Sequence, residues 1–530
     1  MGETYAEHGT DPANAAAEEL FSALYEADED LVAALLGAGV SPEADDGGGG
    51  TALHSAAVDG RAAVVRLLLA AGADPDRRTA EGELPLCGAA CWGRTAVVRA
   101  LLAAGADPGG ADEPGPTALV WAAQGGHAGA ASALLEAGAE PVAGRGDPLL
   151  VRAARQGSLE TVRVLLEHGA DGREAALEEA LRWSVGLADR LREELVGAGE
   201  GEEAAGEVEV VVREVRRGST TLLAAVVLRD GDPGGSQERF TSHAAVATVL
   251  EEELGRTASY EELSARALRR GEPWHDDWRE PVRVLGARGD EETYAAAAAR
   301  LGEAADSPEA LFAVEVLGRL GVGRLTPRVV PLLRELAREA VDAQLLAAVV
   351  RGLGHHGDPG ALPELYEAAG HSSAEVREAA ARALFGLVPA DDAQGVGVLV
   401  ALSAGAWPRV REWAVTALAA LASDTGEVRE ALAARLADED PATVAEAAAG
   451  LVRRGAGARA EEALGLLLTT EPEGSPVREK ALETVEQLTD PAVRRRLEGG
   501  TCWASPTGWA WTTSGWPTGT PSSCSARCWP

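Results

Sequence analysis

The sequence predicts an all-α protein of two α-solenoids in tandem, with a small β-hairpin at their junction. Three observations carry this. A glycine closing an apolar helical run recurs at Gly39, Gly72, Gly105, Gly138 and Gly169, at intervals of 33, 33, 33 and 31 residues. A different frame follows from about residue 290, where Leu384, Leu418, Leu451 and Val485 recur at 34, 33 and 34. Aromatic residues make up 4% of the 530-residue chain, so the core must come from Ala, Leu and Val. That suits helices packed closely in stacked repeats.

Each unit of the first array has the same grammar. A short Ala-rich helix such as ALHSAAVDG (52–60) ends on a glycine, which can take the left-handed backbone that closes a helix. A second helix, AAVVRLLLAAG (62–72), carries apolar residues at 64, 65, 67, 68 and 69 and is expected to be buried on most sides. One such pair cannot cover its apolar faces alone, so neighbours must stack.

The stretches TALHSA (51–56), LPLCGA (84–89), TALVWA (117–122) and PLLVRA (148–153), each followed by a G-A-D type end, resemble the ankyrin repeat. The resemblance covers residues 14–171, about five repeats with a degenerate first one. It implies that His54 hydrogen-bonds backbone between repeats. Cys87, Val120 and Val151 take its place elsewhere, and none of them could replace it in proton transfer. It also implies a concave, partner-binding groove lined by Ser55, Val58, Asp59, Trp92, Trp121, Gln124, Arg152, Arg155 and Gln156. Trp and Arg are the residue types that dominate interface energetics.

Residues 172–206 read as degenerate capping helices and an acidic linker, VGAGEGEEAAGEVE. Residues 207–289 form a connecting segment, with two Val-rich runs around Gly218 that suggest a hairpin. Helices follow, one of them starting at Ser259 in TASYEEL. From 290 to 499, VREAAARAL, VREWAVTAL, TVAEAAAGL and VREKALETV mark amphipathic helices separated by Gly, Asp and Pro turns. These resemble HEAT repeats of the short bacterial kind found in bilin lyases.

Charge and chemistry narrow the function. With 84 acidic against 48 basic residues the net charge is −36, which opposes nucleic-acid and anionic-membrane binding. The longest apolar run, TTLLAAVVL (220–228), is far too short to span a bilayer, and the N-terminus has no signal-peptide pattern. Five scattered cysteines make no disulfide framework, which points to the cytoplasm. No phosphate loop or metal motif stands out, and no cofactor or metal is expected. Cys87 and Cys91, four apart, read as buried filler rather than a metal pair. His355-His356 would need more ligands to hold a metal. In EPWHDDWREP (272–281), Trp274 and Trp278 on one helix are expected to pack the junction, in preference to a ligand site at His275, Asp276 and Asp277.

The last segment, residues 500–530, holds five of the 12 tryptophans and three of the five cysteines but no carboxylate. Shifting its reading frame turns Cys502-Trp503 into Leu and Trp511-Thr512 into Asp, restoring acidic, Leu-rich helical text. It therefore reads as a frameshifted, disordered tail. A single Lys, a single Asn and no Ile suggest a high-GC bacterial source. The expectation is a non-catalytic cytosolic scaffold that binds protein partners through groove and HEAT surface. The alternative is a chromophore lyase or chaperone-like modifier of a partner protein.

Overall fold

A computed structural model describes residues 12–113, 115–142, 146–197, 208–217, 220–229, 232–301 and 307–498. The segment from 500 to 530 and most of the acidic linker lie outside the described residues. The chain divides into two compact units, Met1–Val329 and Val330–Pro530.

The first unit opens with helix pairs: α1 (Pro12–Glu26) and α2 (Glu29–Gly37), then α3 (Ala52–Asp59) and α4 (Ala62–Ala70). Next come α5 (Pro85–Cys91) with α6 (Thr95–Ala103), and α7 (Ala118–Gly125) with α8 (Ala128–Glu136). They are followed by α9 (Leu149–Gln156) with α10 (Leu159–Glu167), and α11 (Arg173–Trp183) with α12 (Leu187–Gly197). Thr51 and Thr117 are N-caps whose hydroxyls accept the amides of His54 and Val120, so the threonine of the repeated motif starts its helix. In the second helices Val64, Val65 and Leu68, then Val97, Val98 and Leu101, are buried, while Leu67 and Leu69 are half-buried. The buried face is thus one stripe, narrower than expected. The loops between pairs interlock as well, with Ala80 donating to the Gly49 carbonyl and Glu113 to that of Gly82, at 2.9 and 3.0 Å.

The expected hairpin is a three-stranded antiparallel sheet, β1 (Val208–Arg217), β2 (Thr220–Arg229) and β3 (Asp232–Phe240), in the order β1-β2-β3. The third strand, DPGGSQERF, reads as a loop because of its Pro and Gly. It is an edge strand, where a missing amide is tolerated, and its pairing slips at Val227/Leu228. Ala225 and Val227 pack on Leu191 and Leu195 of α12. After the sheet come α13 (His243–Glu253), α14 (Tyr260–Arg270), α15 (Asp276–Arg288), α16 (Glu291–Arg300) and α17 (Pro308–Leu317). Ser259 caps α14 in a complete capping box with Glu262. Ala245, Val246, Ala247, Val249 and Leu250 of α13 belong to the same buried cluster as the ankyrin-like helices, so the stack runs on through α11 into α13.

Helix α18 (Thr326–Glu339) leads into the second unit. There a ladder of first helices, α19 (Ala343–His356), α21 (Ala374–Ala383), α23 (Pro408–Ala420), α25 (Pro441–Arg453) and α27 (Pro476–Glu486), forms the repeat. Alternating with them are α20 (Leu362–Ala369), α22 (Ala393–Ser403), α24 (Gly426–Ala434), α26 (Glu461–Thr470) and α28 (Pro491–Glu498). The arginine of the repeated V-R-E motif is a bracket. Arg377 donates to the carbonyls of His371 and Ser372, both at 2.7 Å. Arg411 donates to Gly405 and Ala406, and Arg478 to Leu468 and Glu471. Each donates to carbonyls at the end of the preceding helix or in the turn before its own helix, groups that helix ends leave open.

Candidate functional site

The groove residues expected from the repeat frame fall into two sets. Ser55 and Val58 of α3 are half-buried, and Asp59 at its end is exposed, 3.4 Å from the Arg61 guanidinium. Trp92 is the C-cap of α5, and 60% of its surface is open to solvent. Trp121 of α7 is held differently. It is half-buried against the core, and its indole N–H donates to Asp112 at 2.9 Å. The other Asp112 oxygen accepts the Leu84 amide at 2.9 Å, so Trp121 is tied to the start of the preceding repeat.

At the far end Gln156 and the Arg155 carbonyl engage the chain's own sheet, and Gln124 and Arg152 stand beside them. Gln124 accepts from Arg152 at 3.3 Å, and Arg155 pairs with Asp147 and Glu179 at 2.9 and 2.7 Å. Gln156 donates to the Glu238 carbonyl of β3 at 2.9 Å. The Arg155 carbonyl accepts from both Arg239 and His243, at 3.1 and 3.0 Å. A hollow of about 320 Å³ remains between Gln124, Arg152, Arg155, Gln156 and β3.

The residues that lock one repeat to the next lie at a position the sequence reading passed over. Immediately after the turn glycine, Arg61 donates to the Tyr25 carbonyl, Arg94 to Val58 and Ser158 to Gly126. His127 Nε2 meets the Cys91 carbonyl at 3.0 Å. His243 extends the series onto Arg155, stacked on Trp183. Burial pushes the His243 imidazole down to about 4, so it brackets as a neutral ring. A polar side chain at a fixed offset from a recurring glycine was the available signal. His54 also bridges repeats, but its Nε2 lies 3.6 Å from the Glu83 carboxylate. A carboxylate, not a backbone carbonyl, is therefore its partner across the repeat.

Cys87 is fully buried, its thiol directed at the carbonyls of Gly110 and Pro116, and burial pushes its ionisation up. That leaves it a poor nucleophile. In the second unit His356 is buried while its neighbour His355 is exposed.

The polar cluster at 272–281 has the composition of an acid–base site and the wiring of a joint. His275 is the N-cap of α15, and its Nδ1 accepts the Asp277 amide at 3.0 Å, so Nε2 carries the proton. Nε2 lies 2.8 Å from the Thr241 hydroxyl, which itself donates to the Thr221 carbonyl at 3.1 Å. The ring therefore donates to the hydroxyl instead of receiving its proton, and burial pushes His275 down to about 3. Asp277 accepts the Ala245 amide at 2.7 Å, capping α13 from the neighbouring helix. Only Trp278 of the two tryptophans fills the core, with its indole on Glu315 at 2.8 Å. Trp274 precedes the helix and lies under the Arg216 guanidinium, 4.1 Å from its ring centre. The expected helical pair is thus divided by the helix start at Asp276.

Among the described residues, no helix is long and apolar enough to cross a membrane. The family of ankyrin repeats (3 copies) matches residues 20–112 and 105–175, and that of HEAT repeats matches residues 331–419. No curated protein matches the chain. Period, helix pairing and family matches agree: the chain carries ankyrin repeats in its N-terminal part and HEAT repeats in its C-terminal part.

Proposed function

We propose that this protein is a non-catalytic cytosolic scaffold that holds protein partners on its ankyrin groove and HEAT surface. The observation that carries the reading is Trp92, a large aromatic left 60% exposed at the end of an inner helix. An exposed indole on a rigid repeat face is the kind of anchor that interfaces use, often worth roughly 2 kcal/mol or more on truncation. Ser55, Val58 and Asp59 continue the surface on one side, and Trp121 and Gln124 on the other. Arg152, Arg155 and Gln156 form the end wall, where Gln156 and the Arg155 carbonyl also hold the chain's own sheet.

The non-catalytic part is supported by the chemistry of the buried groups. The His275 and Asp277 pair is wired into backbone amides and a threonine hydroxyl, and Cys87 is kept protonated by burial. The test is affinity capture with the Trp92→Ala, Trp121→Ala double variant. Partners held by wild-type protein should be lost from the variant. A variant that retains every partner would refute the groove.

A further inference from the structure

The second unit holds a hollow of about 320 Å³ on its ladder of first helices, where α19, α21 and α23 meet. Its floor is Gly354, Ala379 and Ala383. Helix contact there is so close that a Cβ on Gly354 would fall 2.6 Å from that of Ala383. The small floor lets two aromatic walls rise on either side, Phe385, 47% exposed, and Trp413, half-buried. Arg382 lies over the Trp413 face, 5.0 Å from the ring centre, and Arg351 stands on the rim with Glu375 at 3.6 Å. Arg382 forms no ion pair among the described residues, and no Asp or Glu lines the hollow. Arg351 is matched by Glu375, so the cation left without an ion pair is Arg382, on a chain with 84 carboxylates against 48 cationic side chains.

We propose that this hollow seats one large apolar side chain, Phe or Leu, from an acidic segment of a partner protein. The aromatic walls cover the apolar group, and the carboxylates beside it lie against Arg382. The proposal rests on reading the chain as a scaffold and names the chemistry of one of its partners. The chain's net charge of −36 opposes an acidic segment in general, so an unpaired cation at the hollow adds selectivity.

The test uses the full chain as bait for a phage-displayed library of random 12-residue peptides, beside Arg382→Glu and Phe385→Ala baits. Both positions are exposed, and unchanged melting curves would confirm that the variants fold. The expected result is a class of peptides with Phe or Leu flanked by Asp or Glu that the wild type enriches and both variants lose. As labelled synthetic peptides, its members should bind the wild type at least tenfold more tightly than Arg382→Glu, with affinity falling as salt rises. The proposal is overturned if neither variant loses a class, or if the lost class lacks acidic residues. Enriched peptides that both variants keep and a Trp92→Ala bait loses would overturn this hollow while leaving the ankyrin groove standing.

Discussion

Gly93 shows how a single position carries both local and inter-repeat demands. Its φ is +65°, and an added Cβ would lie 2.5 Å from the His127 ring that brackets the next repeat. Gly105 has φ +95° with nothing within 4 Å. Gly105→Ala should therefore cost only the left-handed strain, about 1–2 kcal/mol. Gly93→Ala should cost clearly more, and urea midpoints of the two variants would rank them.

Asp277 makes a pH prediction. Burial pushes its carboxyl up to about 7, from an ordinary value near 3.8. A group whose value is raised on folding favours the folded state at low pH, and that contribution fades as pH rises through about 7. Asp277→Asn keeps an oxygen for the Ala245 amide and removes the titration. The variant should gain at least about 1 kcal/mol over wild type at pH 8 and lose that advantage by pH 4. His275 acts in the opposite sense, losing its contribution as pH falls from 6.5 towards 3. The difference between variant and wild type in urea titrations isolates Asp277.

At the scale of elements, both arrays are held by side chains that reach back to the carbonyls of the preceding turn or repeat. Arg454 is the fullest case. Its side chain is 5% exposed and donates to the carbonyls of Leu418, Ala419, Leu421, Ser423 and Gly450, closing the C-terminus of α23. Replacing it with Met preserves much of the volume but strips those carbonyls of a charged donor. The expected loss is about 3 kcal/mol, with faster amide exchange concentrated at the end of α23. The β-sheet follows a different logic. It is inserted before α13 and held by Gln156, Arg239 and the apolar face of α12, and its hydrogen bonds to the helices join residues 45 to 84 apart in sequence.

For the whole molecule the dominant number is the charge of −36. Many surface arginines are paired with Asp or Glu, and salt weakens such pairs. Yet 84 carboxylates face 48 Lys and Arg side chains, so at least 36 have no cation to match and repel one another. Repulsion should win, and the melting temperature should rise by a few degrees between about 10 and 300 mM NaCl. A melting temperature that falls over that range would show that the ion pairs dominate instead.

The sequence by itself determined the repeat architecture, because period and hydrophobic stripe are local and recur. A glycine every 33 residues and a threonine that caps act within one unit, and the V-R-E arginine recurs at a fixed place in its helix, so each is visible as local text. It also marked Trp92, Trp121 and the 272–281 cluster as positions worth weighing. What only the tertiary structure decided depends on partners that no local pattern names. Asp112, nine residues before Trp121, ties that indole down while Trp92 stays open. The Thr241 hydroxyl, itself anchored on the Thr221 carbonyl, and the amide of Ala245 turn His275 and Asp277 into a joint. A Pro and Gly-rich stretch becomes a strand because β2 supplies its ladder and an edge forgives its missing amide. The physical reason is the same each time: helices form from neighbours a turn apart, whereas the orientation of a polar or aromatic group is set by whichever distant donor or acceptor desolvates it least.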